Sequence, residues 1–94
     1  EDDVDPQTVA ALFSNRAAAC MSLNAFADAL RDGCAAAALR PDWVKGHVRV
    51  ALALRALNLP REAIAAYHSA LRCKPGDADL NLGLCDAVQE ASSK

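Results

Sequence analysis

No stretch of this chain alternates apolar and polar residues with a period of two, and β-branched residues are sparse, so strands are not expected. Alanine-rich apolar segments are instead separated by breaks carrying proline or asparagine, which predicts five helices. Asp5-Pro6 places an N-cap acid before a proline at the first helical position, opening a helix of roughly Gln7 to Ser22. Leu23-Asn24-Ala25 breaks it. A second helix runs from about Phe26 to Leu39 and stops before Pro41, because proline disfavours helical backbone in the residue ahead of it. Asp42 is the expected cap of a third helix, Trp43 to about Leu57. Pro60 starts a fourth, with Glu62 in its first turn where a negative charge suits the helix dipole, and this helix ends near Cys73. After the turn Lys74-Pro75-Gly76, Asp77 caps a fifth helix from Ala78 to about Ala91, and Ser92-Ser93-Lys94 frays.

The five segments repeat. At an offset of 34 residues Ala17 falls on Ala51, Ala29 on Ala63, Ala36 on Ala70 and Pro41 on Pro75, while Leu23-Asn24 falls on Leu57-Asn58. A two-helix unit of this period is the signature of a helical array. Ala17, Ala29, Ala51 and Ala63 are expected where the antiparallel helices of a pair cross closely. Ala51→Leu or Ala63→Leu should therefore overpack the crossing, at a cost of about 1–3 kcal/mol in a denaturation experiment.

Ninety-four residues allow one small domain or part of a larger one. The net charge of −2 gives no reason to expect nucleic acid or an acidic membrane as partner. No apolar run approaches a membrane span, and nothing at the N-terminus reads as a signal peptide. Cys20, Cys34, Cys73 and Cys85 lie far apart with no CxxC pair, so they are read as reduced, small apolar side chains in a cytoplasmic protein. His47 and His68 are each alone, without a partner at metal spacing. Nothing cradles phosphate, binds metal or presents paired catalytic carboxylates, so neither an enzyme nor a bound cofactor is expected. Arg55, Arg61 and Arg72 are assigned to solvated faces, and Trp43 to the start of its helix, bridging neighbouring units.

One cluster suggests chemistry. Lys45 and Arg49 stand four apart just after Pro41-Asp42, which stacks two cations on one helix face. Asn15 precedes Arg49 by one repeat, so the two occupy equivalent places on adjacent units. An amide, an ammonium and a guanidinium converging on one surface would suit a carboxylate, with charge-assisted bonds of about 1.5–3 kcal/mol each at best. Such a pair can equally be an ordinary solvated helix face.

Over residues 7–91 the sequence resembles the tetratricopeptide repeat family, in the small residues at the eighth, twentieth and twenty-seventh places of each unit and the proline at the thirty-second. The resemblance implies an α-solenoid with one repeat over 7–41, a second over 42–75 and a capping helix over 77–91, behind an acidic lead-in over 1–6 and before a frayed tail over 92–94. It departs at Cys20 and Gly33, where large aromatics are usual; the second unit keeps Tyr67. Phe13-Ser14-Asn15-Arg16-Ala17-Ala18, Asp32-Gly33-Cys34 and Pro41-Asp42-Trp43 through Lys45-Gly46 to Arg49 are similar, more narrowly, to co-chaperones that organise cytosolic heat-shock chaperones. In those proteins a carboxylate clamp grips an acidic Glu-Glu-Val-Asp tail, and the resemblance implies that Asn15, Lys45 and Arg49 are three clamp residues.

The family's other two, a lysine and an asparagine, belong to a preceding repeat that these 94 residues do not contain. Clamps of this sort often work near micromolar affinity, about −8 kcal/mol, and the loss of two partners predicts millimolar binding or worse. The fifth helix is expected to close the array with a polar stripe of Asn81, Asp86, Gln89 and Glu90. At the other end Leu12, Phe26 and Leu30 are candidates for exposure, so self-association through that face is a further expectation. The alternative to an adaptor is a structural or oligomerisation scaffold with no clamp activity.

Overall fold

In the structure, a computed structural model that describes residues 5–93, every regular element is an α-helix: α1 (Pro6–Ser22), α2 (Phe26–Leu39), α3 (Val44–Ala56), α4 (Pro60–Cys73) and α5 (Ala78–Ser92). Each helix packs on the next in chain order, and α1 also touches α3. The resulting body is elongated, with extents of 51 × 29 × 16 Å. Such a slab follows from units that bury their apolar faces only on their neighbours. No described helix is long and apolar enough to cross a membrane.

The helix ends carry the expected signals, with one correction. The Asp5 carboxylate accepts the Gln7 N–H at 3.2 Å, and Asp77 accepts that of Leu80 at 3.0 Å. Asp42, however, caps nothing: it lies exposed in a turn closed by the Trp43 N–H on the Arg40 carbonyl at 3.0 Å. The N-cap of α3 is Trp43, which makes no side-chain cap bond, so the helix begins at Val44. At the far end of the chain Ser92 is still helical, and Ser93 donates its hydroxyl to the Gln89 carbonyl. The acidic lead-in expected over 1–6 falls, in its Glu1–Val4 part, outside the described residues, as does Lys94.

The repeated Leu-Asn pair has a backbone explanation. Asn24 and Asn58 adopt left-handed φ values of 61° and 65°. In each case the next N–H reaches back to a carbonyl of the last turn, Ala25 to Cys20 and Leu59 to Leu54, both at 2.8 Å. These are Schellman closures, and asparagine tolerates the left-handed position better than other non-glycine residues.

Two apolar clusters form the core. Ala17 and Ala29 meet Ala53 in one, while Ala51, Leu54, Ala63, Tyr67, Ala70, Leu80 and Ala87 make the other. The four crossing alanines are all at most 1% exposed. Leu30, expected on the open face, packs against both clusters and joins them; Phe26 is half-buried. Leu12 is exposed as expected, at 61%. All four cysteines are free thiols, but Cys34 and Cys85 are exposed rather than core side chains.

A size exchange across the repeat explains the departure at Gly33. Gly33 and Tyr67 are equivalent by the 34-residue offset, and so are Arg49 and Gly83. A Cβ on Gly33 would stand 3.2 Å from Arg49 Cβ, and one on Gly83 would stand 2.6 Å from the Tyr67 ring. Each interface thus pairs one bulky side chain with one glycine, with the glycine on opposite helices.

Candidate carboxylate-binding groove

The face of α3 that repeats every three to four residues, Lys45, Val48, Arg49 and Leu52, forms one wall of a groove of about 540 Å³. Asp79, Leu82, Gly83 and Asp86 of α5 form the other, over a floor that includes Tyr67. Glycine at position 83 leaves room for the Tyr67 ring beneath that wall. The walls differ in charge: lysine and arginine on α3 face aspartates on α5.

The cations are not equivalent. Arg55, expected on a solvated face, is instead half-buried and fully engaged. Its Nε and Nη2 donate to Glu90 at 3.2 and 2.6 Å, its Nη1 donates to the Tyr67 hydroxyl at 3.2 Å, and Asp86 stands 4.0 Å away. The hydrogen bonds to Glu90 and Tyr67 raise its pKa further still, outweighing burial. Arg55 therefore fastens α3 to α4 and α5, and Asp86 and Glu90, expected on an outer stripe, turn toward α3.

Arg49 is half-buried and donates its Nε–H to the Ser14 hydroxyl at 3.1 Å. Lys45 is exposed, with Nζ 6.0 Å from the Trp43 ring centroid. Among the described residues neither makes an ion pair. A groove cation without a carboxylate partner holds capacity for an incoming anion. Asn15 is exposed on α1, one residue after Ser14, and is not among the residues lining the groove. The structure thus gathers Lys45 and Arg49 on one wall and leaves Asn15 on the adjoining helix.

Away from the groove, Arg16 makes a two-pronged pair with Asp32 at 2.8 and 2.9 Å, joining α1 to α2. That hydrogen bonding holds the buried Asp32 carboxyl below the usual carboxylate range, against the opposing effect of burial. Trp43 is half-buried under Arg40, whose guanidinium lies 4.7 Å from the ring centroid. His47 donates through Nε2 to the Pro41 carbonyl at 2.7 Å, and Cys73 approaches the same oxygen at 3.5 Å. No group of three potential metal ligands occurs among the described residues.

Sequence reasoning missed Ser14, Arg55 and Gly83. A signal for Gly83 was present, since the same offset that aligns the alanines also aligns Gly33 with Tyr67 and Arg49 with Gly83. Ser14 and Arg55 left none, because their roles depend on which neighbours the fold brings to them.

No family model matches the sequence. The chain is 39% identical over 82 residues to the Hsp70-Hsp90 organizing protein of Triticum aestivum, covering 87% of this chain and 14% of that protein. It is 36% identical over 88 residues to tetratricopeptide repeat protein 28 of Homo sapiens, covering 94% of this chain and 4% of that protein. It therefore spans a small part of either relative. Among solved structures, the first TPR of Spaghetti (RPAP3) bound to the HSP90 peptide SRMEEVD superposes with a TM-score of 0.84 at 30% identity, covering 89% of this chain and 68% of that one. With the five-helix array, its small-residue crossings and this likeness together, the chain belongs to the tetratricopeptide repeat family.

Proposed function

We propose that this chain is a protein-interaction module that recognises an acidic C-terminal peptide of a heat-shock chaperone, of the Glu-Glu-Val-Asp type, through Asn15, Lys45 and Arg49. The observation that carries the reading is the pair of unneutralised cations, Lys45 and Arg49, on one wall of an open groove in which Arg55 is already saturated by carboxylates. The acidic opposite wall would repel a peptide's carboxylates, so its terminus lies toward α1 and α3. The HSP90 peptide bound to the Spaghetti TPR supports the ligand class.

Three donors give weaker binding than a five-donor clamp, and millimolar affinity is expected for these 94 residues. Titrating 15N-labelled protein with a Glu-Glu-Val-Asp peptide should shift the resonances of Lys45 and Arg49. The same peptide with an amidated terminus should bind several-fold more weakly. Equal response to both peptides, or shifts confined to α5, would sink the reading. A structural scaffold is favoured by one observation: exposed Leu12 lies with Val9, Phe13 and Arg16 around a hollow of about 350 Å³ on α1. In that reading the α1 face packs on a second copy, and sedimentation would give a concentration-dependent mass.

A further inference from the structure

We propose that Ser14 is a positioning residue for ligand binding, whose buried hydroxyl aligns the Arg49 guanidinium for a carboxylate. The assignment rests on the carboxylate-recognising reading of the groove. Ser14 is 0% exposed in the middle of α1, and its Oγ accepts Nε–H of Arg49, 35 residues later, at 3.1 Å. A guanidinium is planar, so a bond at Nε narrows the orientations open to the whole group. With Nε occupied, the Nη1/Nη2 edge remains free to grip a carboxylate with two parallel bonds.

Comparison with Arg16 and Arg55, the two arginines that bind a carboxylate on another helix, gives the choice of serine its meaning. Arg16 is held by Asp32 and Arg55 by Glu90, each through two bonds to a carboxylate that also cancels its charge. Arg49 is held by a neutral group, which orients the cation and leaves its charge for a ligand. Gly33 completes the setting: a Cβ there would meet Val50 N at 3.1 Å and Arg49 Cβ at 3.2 Å, so glycine lets this stretch of α3 lie close against α2. An arginine fixed before binding loses less rotamer freedom on capture than a free one.

The test uses Ser14→Ala, Ser14→Cys, Arg49→Lys and the Ser14→Ala/Arg49→Lys double variant. In the free protein the Arg49 Nε–H resonance should be protected from exchange, weakened by Ser14→Cys and lost in Ser14→Ala. The initial slope of the titration with Glu-Glu-Val-Asp peptide should fall roughly three- to tenfold in Ser14→Ala, the range expected for freeing one side chain. The amidated peptide should respond little. In the Arg49→Lys background, where no Nε–H exists, removing the hydroxyl should change nothing further. A loss of equal size in both backgrounds would mean a structural role and overturn the assignment, as would an Arg49 resonance indifferent to Ser14. Wild-type protein that ignores the peptide overturns the carboxylate reading and Ser14's ligand role with it. Binding that occurs but is independent of Ser14 overturns the Ser14 assignment alone.

Discussion

Gly83→Ala offers the sharpest test of the packing, because two opposing effects meet at one atom. In the interior of α5, replacing glycine by alanine should stabilise the helix by about 1 kcal/mol. The added Cβ would lie 2.6 Å from Tyr67 Cε1, 2.7 Å from Cζ and 2.8 Å from the hydroxyl oxygen. Tyr67 is 3% exposed, so its ring has little room to retreat, and its hydroxyl holds Nη1 of Arg55. Overpacking of this kind costs about 1–3 kcal/mol. Displacing the ring also weakens a hydrogen bond worth about 1 kcal/mol. The net expectation is destabilisation of about 1–2 kcal/mol, a shift of about 1 M in the urea midpoint followed by far-ultraviolet circular dichroism. Tyr67→Leu removes the obstructing ring edge. In that background Gly83→Ala should reverse sign and stabilise by about 1 kcal/mol, a coupling of about 2–3 kcal/mol. A stabilising Gly83→Ala in the wild-type chain, or an equal cost in both backgrounds, would refute the argument from steric exchange.

Further outcomes follow from the turns and the partly buried Arg16–Asp32 pair. Asn24→Ala and Asn58→Ala should each cost about 1 kcal/mol by thermal or urea unfolding, because both backbones are left-handed, whereas Asn24→Gly should be nearly neutral. The Asp32 carboxyl titrates below its unfolded value in the native state, chiefly through its hydrogen bonds to Arg16, so the native chain binds fewer protons there than the unfolded one. Its stabilising contribution is complete above the unfolded pKa of about 4 and is lost as pH falls through the lowered native value. Asp32→Asn should thus be less stable than wild type at pH 7, and the gap in urea midpoint should close on acidification.

The helical architecture was legible because its signals are local. Asp5-Pro6, Leu23-Asn24 and Asp77 act through their own backbone neighbourhood, and the alanine spacing reports a crossing that any copy of the unit must repeat. Asp42 misled because an acid after proline can cap a helix or sit in a turn, and the closure by Trp43 on Arg40 decided for the turn. Leu30 misled because an apolar residue on a helix gives no sign of which neighbour covers it. Here it is claimed by both clusters.

The candidate site divides along the same line. Period and spacing alone put Lys45 and Arg49 on one face of α3 and made Asn15 the counterpart of Arg49, since a helix fixes the angle between its own residues. Which arginines keep their charge available was decided only by tertiary packing. Arg55 lost its freedom to Glu90 on α5, while Arg49 met the neutral Ser14 on α1. Those partners lie 35 residues away in each case, beyond what helical periodicity within one segment can specify. Local geometry chose the face; long-range contact chose the partner, and with it the charge left for a ligand.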